Sequence, residues 1–189
     1  MVKLTYFQVT WLLLFFIPIG LTIFDNRMIT LALGFLIYEI WRTWSHFSGA
    51  EWVPTPQNIV NRMLKTAQVN ANDTVYDLGS GDGKIVLSAT KLGAKAIGIE
   101  LDPLRVLISK IKLAGLNNAK IELGDFYKAN IKDATVVTLF LLPKTMEKLE
   151  TKLKKDLRKG TRIVSYRFVF KNWKPVKIDK TNEIYLYKV

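Results

Sequence analysis

The chain has 189 residues, a formal net charge of +12 at pH 7, 49% hydrophobic residues and no cysteine. Disulfides, cysteine-ligated zinc and thiol catalysis are thereby excluded, and a lone histidine, His46, speaks against a multi-histidine metal site or a conventional catalytic triad. The charge resides after residue 50, where 25 basic residues face 14 acidic ones, a surplus of +11 that suits nucleic acid, an acidic partner or an anionic lipid leaflet.

Trp11–Phe24 form an uncharged apolar run, Asp25-Asn26-Arg27 interrupts it, and Met28–Tyr38 form a second run before Glu39, Trp41, Arg42 and Trp44. The pattern predicts two apolar helices, over about residues 8–24 and 28–45, joined by a polar turn. A helix from Gln8 to Phe24 rises about 25 Å, short of a hydrocarbon core of roughly 30 Å but tolerable with local thinning. Pro18 is a kink position, and Trp11, Trp41 and Trp44 suit an interfacial belt. Residues 1–50 are therefore expected to form a membrane anchor, a transmembrane helical hairpin. Lys3 before it and Arg42 with the basic domain after it place the N-terminus and that domain on the cytoplasmic side. Two readings compete. One is a cleaved signal peptide, opposed by the missing A-x-A-like site and the second apolar run; the other is a pair of core helices in a soluble protein or oligomer.

Residues 51–189 read as one domain. Thr55 is a candidate N-cap with Pro56 at the first position of a helix over Gln57–Ala67. A strand over Thr74–Leu78 leads through the turn Gly79–Gly83 into a helix over Lys84–Leu92 that Gly93 closes. Ala94–Leu101 is a second strand, and Asp102-Pro103 opens a helix to about Ala114. Ala119–Leu123 is a third strand, Thr135–Leu141 a fourth, Pro143–Arg158 a charged amphipathic helix and Thr161–Phe168 a fifth strand. This alternation predicts a mostly parallel α/β sheet with helices on both faces. Val176–Asp179 and Glu183–Val189 add an antiparallel C-terminal hairpin.

The segment Asp77-Leu78-Gly79-Ser80-Gly81-Asp82-Gly83 stands where a strand hands over to a helix, so a ligand binds against its backbone. A dinucleotide site would want another glycine at Lys84 and no acid closing the strand, because its helix N-terminus receives a pyrophosphate. Asp77 instead favours the positively charged methionine end of S-adenosylmethionine. Glu100, at the next strand end, can accept ribose hydroxyls; Asp125, at the third, can accept the adenine amino group, with Phe126 or Tyr127 covering the ring. The bland alternatives are an exposed strand terminus for Glu100 and an ordinary turn for Asp125.

With Pro54-Thr55-Pro56, VYDLGSGDGKIV at Val75–Val86, GIELDP at Gly98–Pro103, Gly124-Asp125, LFLLP at Leu139–Pro143 and SYRF at Ser165–Phe168, the chain resembles the class I S-adenosylmethionine methyltransferases, of Rossmann-like fold. It most resembles the small archaeal-type protein-lysine methyltransferases and their membrane-associated mitochondrial relatives. The resemblance covers about residues 53–189. It implies that Asp77, Gly79, Ser80, Gly81 and Asp82 surround the methionine portion, Glu100 the ribose and Asp125 with Phe126 the adenine, while Thr55 and Gln57 help close the pocket. No metal is implied, and S-adenosylhomocysteine is the product.

Methyltransferases acting on base amines or amides often carry Asn or Asp followed by Pro-Pro-aromatic at the end of the fourth strand; Leu141-Leu142-Pro143-Lys144 stands there instead. A lysine amine needs chiefly to be deprotonated, desolvated and oriented. Backbone carbonyls near Leu142-Pro143 and the Tyr166 hydroxyl are the candidate groups, with plain strand packing the alternative for Tyr166. The expected activity is lysine methylation of membrane-associated proteins, with the bilayer and anionic headgroups as further partners and nucleic acid disfavoured. The alternatives are methylation of a lipid headgroup or membrane-dissolved small molecule, and a non-catalytic cofactor-binding scaffold.

Overall fold

The computed structural model describes residues 26–47 and 53–189, and the chain divides into two compact units, Met1–Gly49 and Ala50–Val189. In the first unit, α1 (Asn26–Phe47) is a single helix of 22 residues with Leu31, Phe35 and Ile37 exposed. Among the described residues no helix is long and apolar enough to cross a membrane. The expected second spanning helix is thus present as a helix but not as a span, because Glu39 and Arg42 interrupt its apolar run. The expected first helix, about residues 8–24, lies outside the described residues.

In the second unit the elements alternate: α2 (Gln57–Thr66), β1 (Thr74–Leu78), α3 (Lys84–Thr90), β2 (Lys95–Glu100), α4 (Pro103–Lys112), β3 (Ala119–Leu123), β4 (Val136–Leu139), α5 (Pro143–Asp156), β5 (Arg162–Tyr166), β6 (Lys177–Asp179) and β7 (Ile184–Lys188). They build one seven-stranded sheet in the order β3-β2-β1-β4-β5-β7-β6. Strands β1 to β5 pair in parallel, and β7 runs antiparallel to both β5 and β6. This is the mostly parallel sheet with an antiparallel end that the residue pattern predicts.

Two apolar layers sandwich the sheet. On one face Val75, Ala96, Ile121, Val136 and Val164 meet Val60, Met63 and Leu64 of α2, Val86 of α3 and Val106 of α4. On the other, Leu78, Ile97, Val137 and Ile163 meet Met146, Leu149 and Leu153 of α5, with Phe170 and Tyr187 closing the antiparallel end. Alternate residues of each strand feed opposite layers, which is why the strands read as continuous apolar runs.

Most element ends fall one or two residues inside the expected bounds, and three of the differences have local reasons. Pro56, not Thr55, is the N-cap of α2 and makes no side-chain capping bond; a residue before proline is held extended, and Thr55 contributes its carbonyl instead. Strand β4 stops at Leu139, its last residue paired with both Leu78 and Ser165. Strand β5 stops at Tyr166 because Arg167 turns into the left-handed region at φ 66°, its N–H bonding the Glu183 carbonyl at 2.8 Å.

The chain lays β1, β2 and β3 outward in one direction and then returns to place β4 on the other side of β1. The carboxyl edge between β1 and β4 is therefore the switch point, where parallel sheets open a crevice.

Candidate cofactor and methyl-transfer site

The turn after β1 is pinned from beneath. The N–H groups of Gly79 and Ser80 donate to the Ile99 carbonyl at 2.9 and 3.1 Å, and the Gly81 N–H donates to Glu100 Oε2 at 2.8 Å. Ser109 Oγ of α4 donates to the Gly81 carbonyl at 2.8 Å. Gly79 has φ +82°, and a Cβ there would lie 3.1 Å from Leu141 Cδ2, so any side chain would be both strained and crowded. Ser80 is buried and turned toward the sheet: its Oγ fills the space a Cβ on Gly98 would need, 2.6 Å away, and bonds no partner among the described residues.

Asp77 is buried beside this turn, and Thr138, its register partner on β4, donates from Oγ1 to Asp77 Oδ1 at 2.7 Å. Burial pushes the carboxyl up to about 7, the Thr138 bond opposes that rise, and the negative charges of Glu100 and Asp82 add to it. Glu100 is buried too. Its Oε1 accepts from the N–H groups of Leu101 and Asp102, both at 3.0 Å, and with Gly81 on Oε2 one acceptor position remains on Oε2 from a carboxylate's four. That position is open to a ligand hydroxyl. Asp82 pairs with Lys112 Nζ of α4 at 2.6 Å.

Beyond β3, Asp125 Oδ1 accepts from the Tyr127 N–H at 2.8 Å, closing an Asx turn. Phe126 packs partly into the apolar layer on the α5 face of the sheet, with its ring 4.7 Å from Tyr127. At the far side of the crevice, the Tyr166 ring lies 4.7 Å from Phe140, which stacks at 6.2 Å on Phe168, and the Arg167 guanidinium stands 5.7 Å over Tyr166. Leu142 caps α5 with Pro143 as its first residue, and both are exposed. On the opposite flank Lys84 Nζ donates to the Thr55 carbonyl at 2.9 Å, tying the Pro-Thr-Pro segment to the start of α3. The Gln57 amide donates to Ser88 Oγ at 3.0 Å and to Asn61, which spends it on helix packing.

Asp77, Gly79, Gly81 and Glu100 are therefore brought together at one strand edge. Asp125 and Phe126 lie along the same edge past β3, and Tyr166 ends β5. Sequence reasoning missed Thr138, Ser109, Phe140 and Phe168. Thr138 was findable: it is the single polar residue within the apolar run Val136–Leu142. The set fits S-adenosylmethionine. A buried carboxyl raised by desolvation gains most from a cationic neighbour, whereas a diphosphate would meet Asp77 and Glu100 as like charges. Asp77 would hold the methionine end, Glu100 the ribose and the glycine backbone the middle of the molecule.

The family profile of the ANTKMT methyltransferase domain matches residues 77–177. A protein-lysine N-methyltransferase of Saccharolobus islandicus (strain REY15A) is 39% identical over 156 residues, covering 77% of this chain and 97% of that one. The adenine nucleotide translocase lysine N-methyltransferase of Mus musculus is 37% identical over 121 residues, 61% of this chain and 53% of that protein's length. A crystal structure described as an RNA methyltransferase from Salinibacter ruber, in complex with S-adenosylhomocysteine, superposes with TM-score 0.70 at 41% identity, covering 72% of this chain and 94% of that one. With the carboxylate-lined glycine turn at its switch point, the chain belongs to the ANTKMT methyltransferase domain family and is an S-adenosylmethionine-dependent methyltransferase of the protein-lysine N-methyltransferase group.

Proposed function

We propose that this enzyme methylates lysine side chains of membrane-associated proteins while residues 1–50 hold it at a membrane, with its N-terminus and residues 51–189 on the cytoplasmic side. Bound S-adenosylmethionine supplies an electrophilic methyl group. The chain's own residues supply the acceptor's surroundings. Phe140, Tyr166 and Phe168 form an aromatic wall at the ends of β4 and β5, suited to the aliphatic stem of a lysine, and apolar walls favour the neutral amine. In this reading the Tyr166 hydroxyl and the carbonyls at Leu142-Pro143 orient that amine. The aromatic wall beside the carboxylate-lined turn is the observation that carries the lysine reading. The uncharged run Trp11–Phe24 and the exposed apolar residues of α1 support the membrane placement.

A second reading, methylation of RNA, takes support from the name of the Salinibacter relative and from the +11 surplus. Leu141-Leu142-Pro143-Lys144 lacks the amide or carboxylate that holds a base amine. Transfer of labelled methyl to separated membrane-protein, soluble-protein, RNA and lipid fractions, with Asp77→Ala as the blank, decides among these. Label on lysines of the membrane-protein fraction is expected; label confined to RNA or to lipid would overturn the lysine reading.

A further inference from the structure

Helix α4, Pro103–Lys112, reads PLRVLISKIK and carries no carboxylate. Its inner face is set by Val106, Ser109 and Leu113, all buried against the sheet and the glycine turn. At 100° per residue the opposite face consists of Leu104, Leu107, Ile108 and Ile111. All four are exposed, Leu107 at 55% and Ile111 at 68%. Leu101 precedes them, also exposed. The helix is thus apolar on both its packed and its outward sides, with cations between: Lys110 along one margin, and along the other Arg105, paired with Asp102, and Lys112, paired with Asp82.

Exposure to water does not explain this pattern. Helix α5 covers the other face of the same sheet and presents Lys144, Glu147, Lys148 and Lys155 outward, the ordinary arrangement for a helix with one buried stripe. An outward apolar stripe of leucine and isoleucine with lysine and arginine at its margins is instead the pattern of a helix lying in a lipid interface, apolar side chains in the acyl boundary and cations at the headgroups.

We infer that the outward face of α4 docks on an anionic lipid surface. Charge chooses this occupant over a second copy of the chain: residues 51–189 carry a surplus of +11, which two copies would set against each other and an anionic surface attracts. The docking helix starts three residues after Glu100 and so lies beside the carboxyl edge of the sheet. Contact there brings the site to the bilayer surface, where a lysine flanking a membrane segment is within reach. The inference rests on the proposed membrane placement for its biological setting, but it concerns a separate contact.

The chain contains no cysteine, so a single introduced cysteine reports one position. The full chain carrying Leu107→Cys or Leu92→Cys is labelled with an environment-sensitive fluorophore; Leu92 is equally a surface leucine, 47% exposed, in the turn after α3. Each is added to phosphatidylcholine vesicles with or without roughly a third phosphatidylglycerol, and with brominated acyl chains as quencher. The expected result is a blue shift and at least twofold quenching at position 107 with anionic vesicles, little change at 92, and loss of the response when Leu104→Glu and Ile111→Glu are added. Chain that co-sediments with vesicles while the 107 label stays silent overturns the α4 contact and leaves the membrane placement standing. Failure to co-sediment with either vesicle overturns both. A shift at 107 that grows with protein concentration in the absence of vesicles overturns the lipid occupant in favour of self-association.

Discussion

Asp77 and Thr138 face each other across the pairing of β1 with β4, joined by a 2.7 Å hydrogen bond from the threonine hydroxyl to a buried carboxyl. The pair sits at the sheet's switch point, and Thr138 is the group that counters the desolvation of Asp77. Thr138→Val keeps the side-chain volume and removes the hydroxyl. Cofactor affinity at pH 7 is expected to fall about tenfold, the effect of losing a hydrogen bond to a charged group, and Thr138→Ser is expected to restore most of it. Titration calorimetry with S-adenosylmethionine measures both; equal affinity for the valine variant would remove Thr138 from the site.

Cofactor binding and pH are linked through the same carboxyl. A cationic ligand takes the ionised form of a group that ionises at about 7 when no ligand is bound. Binding at pH 6 should therefore release about one proton, and affinity should weaken by about tenfold per pH unit below that value. Calorimetry in buffers of different ionisation enthalpy counts the protons; zero release at pH 6 would contradict the assignment of Asp77 to the cationic end.

Stability follows with the opposite trend. The native protein keeps the Asp77 proton up to about 7, whereas the unfolded chain loses it near 3.8. The native state thus binds more protons in that window, and its contribution to stability, full below the lower value, is lost as pH rises to the upper one. Asp77→Asn removes this loss. The ligand-free variant is expected to melt higher than the parent at pH 8 yet fail to bind cofactor, a comparison that thermal denaturation at pH 5 and 8 makes directly.

Gly98 is required by Ser80 rather than by its own backbone. A Cβ at Gly98 would stand 2.6 Å from both Ser80 Oγ and Ile121 Cδ1. Gly98→Ala is expected to destabilise by about 1–3 kcal/mol through overpacking. Ser80→Ala, which removes a buried hydroxyl without a bonded partner among the described residues, should be neutral or stabilising. Urea denaturation of the two variants checks the contrast, and a large loss for Ser80→Ala would show that the hydroxyl is bonded.

Glu100 ties the turn to the start of α4 through three backbone N–H groups. In Glu100→Gln the amide nitrogen cannot accept, so one oxygen's bonds are lost, at about 1–3 kcal/mol. Faster hydrogen exchange at Gly81 and weaker cofactor binding are expected together. Unchanged exchange with weakened binding would instead assign Glu100 to the ligand alone.

The alternation of elements and the antiparallel finish were legible in the residues, because apolar periodicity and glycine or proline punctuation are local properties. Asp77 and the glycine turn were legible for the same reason. The rest depended on which strands become neighbours. Thr138 acquires a role only when β4 returns to lie beside β1, 61 residues on, and Phe140, Tyr166 and Phe168 become one wall only when β5 pairs with β4. Glu100 and Asp125 read from sequence as ligand groups; the fold adds that three backbone N–H groups bond Glu100 and one bonds Asp125 Oδ1, since a buried or turn-forming carboxylate satisfies the donors nearest to it. The apolar count of α4 was visible in its letters, but only packing against the sheet decides which of its leucines and isoleucines are left facing outward.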